Sequence, residues 1–347
     1  MVQMFGTPLS LFGSERHEVH KPRRNAMNPY FSKHSVQKLE PIMRDKVLQL
    51  CNLMSRHGRE GNVINMNHAL VAVTIDMVTQ YCRFTRQTGV ERYRLLTDPD
   101  QAFNSCANAL SRPDFSPNWC DMMAGVSEGV SVAKHIPGIV QVVMSLPTSL
   151  VRYMNPLMGS FIDYERHVRS QVSRILSRQM LGQAEFSTTS KPNSTSPSNA
   201  QTTPPRTVFH ELLRSSLPEH EKSEDRFTQE GVGYVSAAAE TTGIVLVAAC
   251  YHVSSNPELM KRLREEVARI MPDPRVIPEW RQLERLPLLS ATIKEALRIS
   301  VPVASRLPLI SQTPLQFQEL TIPPDVRHSL FGTFTSTDCD MTRPMSA

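Results

Sequence analysis

From Phe227 to Val253 the chain reads as one long, largely apolar helix, and near its middle stand a carboxylate and two hydroxyls, Glu240-Thr241-Thr242. A polar cluster in a buried helix centre costs free energy unless it is paired. Threonine adds a local effect, because its hydroxyl can bond the carbonyl one turn back, loosening the helix and opening a groove. An acid beside a hydroxyl at such a groove is suited to delivering protons to a bound ligand. Glu240 and Thr241 are therefore candidate catalytic residues. The same cluster is equally well explained as a polar notch facing another helix, and the motif by itself does not choose.

Helical periodicity governs most of the remaining chain. Val36, Leu39, Met43, Val47, Leu50 and Met54 recur at three- and four-residue intervals between Lys38, Arg44 and Lys46, which predicts one amphipathic helix. Further helices are expected from Val63 to Tyr81 and from Met158 to Met180. Asn256-Pro257 opens a charged helix, Glu258 to Met271, with Ser255 expected as its cap, and Leu286 to Ser300 forms another. From Val303 to Ile322 the pattern changes to short strands punctuated by Pro308, Pro314 and Pro323-Pro324. The expected class is mainly α with a few short C-terminal strands. With only 14 Gly against 26 Pro, the composition speaks against a turn-rich β-sandwich and against a repeated phosphate-binding loop fold.

Between Gln183 and Arg206 the composition shifts, and from Ser187 to Arg206 14 of 20 residues are Ser, Thr or Pro. Such a stretch cannot bury enough apolar surface to offset its ordering entropy, so 183–206 is expected to be a disordered surface loop. The 38 basic and 33 acidic residues leave a charge of +5, but the basic residues form no long stripe with interleaved aromatics, and no nucleic-acid partner is expected. Cys51, Cys82, Cys106, Cys120, Cys250 and Cys339 show neither C-x-x-C spacing nor zinc-ligand intervals. That usage suits reduced thiols. No uninterrupted apolar run reaches the roughly 18 residues of a membrane span, and the start of the chain lacks the regions of a signal peptide.

Two more elements carry chemistry. Glu295 and Arg298 stand three apart on an expected helix, where they can form a bidentate pair, and their apolar setting predicts a buried one. His20 and Arg24 stand four apart in His20-Lys21-Pro22-Arg23-Arg24 and together could grip an anionic group, although a solvated basic turn explains them as well.

In chain order the three elements resemble one family, the cytochrome P-450 haem-thiolate monooxygenases. His20-x-x-x-Arg24 is similar to the C-helix pair that binds a haem propionate. Ala238-x-Glu240-Thr241-Thr242 is similar to the I-helix oxygen-activation motif, with Ala238 where many members have Gly. Glu295-x-x-Arg298 resembles the structural pair of the K helix. Asn28-Pro29-Tyr30-Phe31-Ser32-Lys33 and Ser305-Arg306-Leu307-Pro308 are especially similar to fungal secondary-metabolism members of the trichodiene oxygenase type. The resemblance runs from about Phe12 to about Pro324 and implies a P-450-like helical fold from the C to the K helix. It also implies haem as cofactor, a reductase fed by NADPH as partner, a small apolar substrate such as a terpenoid or polyketide, and the endoplasmic reticulum membrane as location. The segment His135 to Met154 falls where family members often touch the bilayer between their F and G helices, which makes peripheral membrane contact an expectation.

The departures from the family pattern are chemical. Members are longer at both ends, so the chain is expected to be truncated, with residues 1–324 a partial domain, 325–347 an unrelated tail and no anchor, hence cytoplasmic or peripheral. The F-x-x-G-x-R-x-C-x-G loop that supplies the axial thiolate is missing, and Cys339 does not replace it, since Thr335 and Thr337 stand where that loop needs Gly and Arg. No metal ligand is therefore assigned. The axial thiolate drives oxygen–oxygen cleavage, so this exact chain is not expected to turn over. Two readings follow: a haem monooxygenase in shortened form, or a non-catalytic remnant or product of a misread gene. Sequencing the transcript past the codon for Pro324 separates them.

Overall fold

The computed structural model describes residues 6–14, 16–37, 39–82, 109–112, 114–133, 136, 138–188, 208–302 and 309–328. Ser305–Pro308, Cys339 and most of the 183–206 and 325–347 segments lie outside them. Helices α1 (His17–Met27), α2 (Lys33–Gln37), α3 (Glu40–Glu60) and α4 (Met66–Cys82) come first, followed by a 3-10 turn at Ala109–Ser111. Next are α5 (Pro117–Ala133), α6 (Ile139–Ser145), α7 (Thr148–Met154), α8 (Pro156–Thr188) and α9 (Val208–Arg214). A second 3-10 turn, Glu219–Lys222, leads into α10 (Glu224–Ser254), and α11 (Pro257–Ala268), α12 (Trp280–Glu284) and α13 (Pro287–Ser300) complete the helices.

The helical class is as the periodicity predicts, with local corrections. The stretch expected as one helix from Val36 to Met54 is divided between α2 and α3. Pro41 is the reason: it offers no backbone N–H and favours the first turn of a helix, so a new helix starts there. At the far end Gly61 closes α3 in the left-handed conformation, φ 70°, donating to the Gly58 and His57 carbonyls. The cap of α11 is Asn256 and not Ser255. Because Pro257 holds the first helical position, the side chain directly before it accepts from Leu259 N (3.0 Å), while the Ser255 hydroxyl donates back to Tyr251 O. Helix α8 continues to Thr188, so the beginning of the expected 183–206 loop is helical and the remainder lies outside the described residues.

Two small antiparallel sheets end the described chain. β1 (Leu309–Ile310) pairs with β4 (Arg327–His328), and β2 (Leu315–Phe317) pairs with β3 (Leu320–Ile322) in the register Leu315 to Ile322.

The core forms around α10 and α4. One cluster joins Val71 and Ile75 of α4 to Trp119 and Met122 of α5, Tyr164 and Val172 of α8, Phe209 of α9, and Phe227 and Val235 of α10. A second joins α4 to Leu50 of α3 and to Leu110 and Phe115. Asp76, buried on α4, ties the second cluster together by accepting from Ala109 N (2.8 Å) and Leu110 N (3.4 Å) and pairing with Lys46 Nζ (3.3 Å). Helices α4 and α10 approach so closely at Gly243 that an added Cβ would stand 2.5 Å from Val71 Cγ2. Gly243→Ala is therefore expected to destabilise the protein by about 1–3 kcal/mol through overpacking, read as a lower urea midpoint. An unchanged midpoint would show that Val71 can move aside.

Candidate functional site

The middle of α10 presents three environments within two turns. Ala239 and Gly243 are buried against α4. Ala237, Ala238 and Thr242 are exposed, and with half-buried Thr241 they make an open face of small side chains. Glu240 is half-buried on the side of α5, where its charge acts on the thiol of Cys120. Burial, aided by Glu240 and Asp121, pushes that thiol up to about 12.

Burial alone holds the Glu240 carboxyl above its ordinary value, and its Oε2 is buried without a hydrogen-bond partner among the described residues. A carboxyl so placed is biased toward the protonated form. Next to it, Thr241 Oγ1 donates to the Ala237 carbonyl (2.8 Å), the one-turn back-bond expected from sequence. A second hydroxyl, which the sequence pattern did not single out, comes from α4: buried Thr74 Oγ1 bonds the carbonyls of Ala239 (2.9 Å) and Val71 (2.8 Å). Its only sequence signal was a hydroxyl inside an apolar run, the same signal that marked Thr241.

On α1, Arg24 is exposed and His20 half-buried, one turn apart, and neither side chain has an ion-pair partner among the described residues. Their neighbour Arg23 points the other way, into a buried cluster with Glu221, Arg226 and Glu230 that nothing in the sequence announced. On α13, Arg298 donates to Glu295 from Nε (2.8 Å) and Nη2 (2.5 Å), so the bidentate pair forms. It is not buried. The Glu295 side chain is 45% exposed and that of Arg298 26%, because α13 turns Ala296 to the interior instead. The Arg298 hydrogen bond holds the Glu295 carboxyl below its ordinary value, so this pairing is lost as pH falls through the lowered value.

Among the described residues no group of three His, Cys, Asp or Glu side chains is placed to hold a metal ion. A cavity of about 640 Å³ between α1 and the loop after α9, lined in part by Lys21, Asn25 and Arg214, contains none of the candidate residues. The haem implied by the resemblance needs cationic or donor groups for its propionates and an open surface for its ring, and the described residues offer groups of both kinds. Exposed Arg24 and half-buried His20 are of the first kind, and the exposed small side chains of Ala237 and Ala238 are of the second, with the buried, unpartnered Glu240 oxygen on the same stretch of α10. The described residues carry no axial-thiolate loop, and Cys339 lies outside them.

Comparison with known proteins places these features in context. The sequence profile of the cytochrome P450 family matches residues 7–341. The cytochrome P450 monooxygenase MO6277 of Ascocoryne sarcoides is 33% identical over 87% of this chain and 54% of its own length. The N-acetyltryptophan 6-hydroxylase ivoC of Emericella nidulans is 31% identical over 92% of the chain and 56% of its length. The tryptophan 6-hydroxylase fscE of Fusarium equiseti is 29% identical over 96% and 58%. The chain thus spans little more than half the length of these relatives. Among solved structures, a crystal structure of a cytochrome P450 (CYP102L1) superposes with a TM-score of 0.63 at 13% identity, covering 95% of this chain and 62% of that one.

Proposed function

Because the chain belongs to the cytochrome P450 family, we propose that it serves a haem-dependent monooxygenase reaction on a small apolar secondary metabolite, with turnover depending on an axial thiolate that the described residues do not supply. Haem is the cofactor of that family, and when bound it supplies the oxygen activation. The observation that carries the reading is the Glu240 carboxyl, raised by burial and with an unpartnered oxygen, next to the open face of Ala237, Ala238 and Thr242.

The remaining steps belong to this chain's own side chains. Arg24 and His20 orient the cofactor by gripping its carboxylates, a task suited to Arg because its planar fork matches them. Glu240, its carboxyl raised by burial, is the proposed proton donor. Thr241, whose hydroxyl donates to Ala237 O, is the proposed partner of Glu240 in delivering protons toward the small-residue face. Glu295 and Arg298 keep α13 in shape. Family members work with redox partners, and an NADPH-dependent reductase is the proposed one here. A terpenoid or polyketide is the proposed substrate, and the relatives named as an N-acetyltryptophan 6-hydroxylase and a tryptophan 6-hydroxylase extend the proposed class to an indole.

The test is haem titration of the purified chain, followed by reductase- and NADPH-dependent oxidation of terpenoid, polyketide and indole compounds. Conversion that is lost in Thr241→Ala supports the reading. Haem uptake without any conversion favours the non-catalytic alternative.

Membrane association is general in the family. Helix α10 is long and apolar enough to cross a membrane, and it also packs against α4, α8 and α13. The proposed contact is peripheral, through α6 and α7, where Val142 is 62% and Tyr153 88% exposed and Leu150 and Met154 are exposed beside them. Weak, reversible liposome binding is expected, and changing Val142 and Val143 to Asp should abolish it. A wild-type chain that floats free of liposomes would end this idea.

A further inference from the structure

Arg23 and Arg24 are consecutive, yet only Arg24 is exposed; the Arg23 guanidinium is buried and almost fully bonded. Its Nε and Nη2 donate to Glu221 Oε2 (2.7 Å) and Oε1 (2.9 Å), and its Nη1 donates to Ser14 Oγ (2.8 Å) and Ser10 O (3.3 Å). Glu221 Oε2 also lies 2.9 Å from Arg226 Nε, and its carbonyl accepts from Arg226 Nη1 (3.0 Å). Arg226 Nη2 donates in turn to Glu230 Oε1 (2.8 Å), which accepts from Leu11 N (2.9 Å). A line of alternating charges therefore runs from α1 through the 3-10 turn to the first turns of α10, and it threads the segment between Leu9 and Ser14.

Buried ion pairs of this kind are poor sources of net stability, since apolar residues of equal volume often do as well. Geometry is what they supply. A bidentate Arg–carboxylate pair fixes both distance and angle, and Glu230 is joined to Glu240 by about 15 Å of unbroken helix at 1.5 Å per residue. The network thus fixes α1 on the first turns of α10, and the rigid helix carries that placement toward Glu240.

We propose that Arg23 is a positioning residue for the cofactor site: by docking α1 on Glu221 it fixes the place of Arg24, the residue proposed to meet a haem propionate. The proposal rests on the haem reading of the site. It assigns the two neighbouring arginines separate tasks, Arg24 touching the ligand and Arg23 acting only through it.

The test is a double-mutant cycle read by haem affinity, from absorbance titration of the full chain with haem, with urea unfolding of each apo variant as control. Arg23→Gln is expected to weaken haem binding by about tenfold, the scale of losing a supporting-shell contact. Arg23→Lys, which keeps the charge but loses the fork, should fall between this variant and wild type and serves if Arg23→Gln does not fold. In an Arg24→Gln background the Arg23 change should weaken haem no further. Additive weakening, or unchanged affinity in Arg23→Gln and Arg23→Lys, overturns the positioning role. If Arg24→Gln binds haem as wild type does, or wild type takes up none, the haem reading itself has failed.

Discussion

Arg226→Ala is expected to destabilise the protein by about 3–5 kcal/mol in urea unfolding, because it strips the cation from a carboxylate that has no access to water. Arg226 is 2% exposed and Glu230 is equally buried, so neither can recover its lost partner by hydration. The companion variant sharpens the expectation. Changing Arg226 to Met and Glu230 to Leu together removes both charges, and it should cost less than the single change although it removes more hydrogen bonds. The pH dependence has a definite sign. Burial holds the Glu230 carboxyl above its ordinary value in spite of Arg226. A raised carboxyl contributes stability that is present below the ordinary carboxylate range and is lost as pH rises through the raised value. The gap between Arg226→Ala and wild type should therefore be narrowest in acid, where a protonated Glu230 needs no cation. A gap under about 1 kcal/mol at neutral pH would show that water reaches Glu230 once the guanidinium is gone.

Glu240→Gln carries the second large effect. If Glu240 is the proton donor, Glu240→Gln should take up haem normally but, in a protein that carries the axial-thiolate loop, lose about 10²-fold or more in the rate of product formation, the usual weight of a positioned acid. Thr241→Ala should reproduce much of that loss, because its hydroxyl is the proposed partner of Glu240. The same Glu240→Gln variant tests the raised carboxyl without any substrate. In wild type the folded state binds the Glu240 proton more tightly than the unfolded chain does, so stability falls as pH rises through the raised value. Gln is neutral throughout, and Glu240→Gln should lose that slope and gain on wild type toward alkaline pH. Parallel stability curves for the two proteins would mean that Glu240 is solvated and has no raised value to use.

Much of this architecture was legible because it is local. An apolar period of three and four residues requires only its own helix, and α4, α8, α10, α11 and α13 stand close to where their periods put them. Thr241 bonding Ala237 and Arg298 gripping Glu295 join residues separated by a single turn, so spacing alone predicts them. The division between α2 and α3 was equally local in cause, since Pro41 was visible, but hydrophobic periodicity ran across it and concealed the break.

Other features depend on what packs against what. Periodicity could not tell that the Glu295–Arg298 pair is half exposed, because burial belongs to the surroundings of α13 and not to its own sequence. Thr74 reaches Ala239 across 165 positions of chain, and Gly243 is required only because Val71 of another helix presses against it. Arg23 and Arg24 show the division most clearly. By itself the sequence determined a basic turn on a helix, two guanidiniums in succession with identical chemistry. The fold alone decided that one is neutralised by Glu221, 198 positions away, while the other stays exposed. Consecutive helical side chains diverge by about 100°, and which of the two directions meets a carboxylate is set by the helix that arrives there.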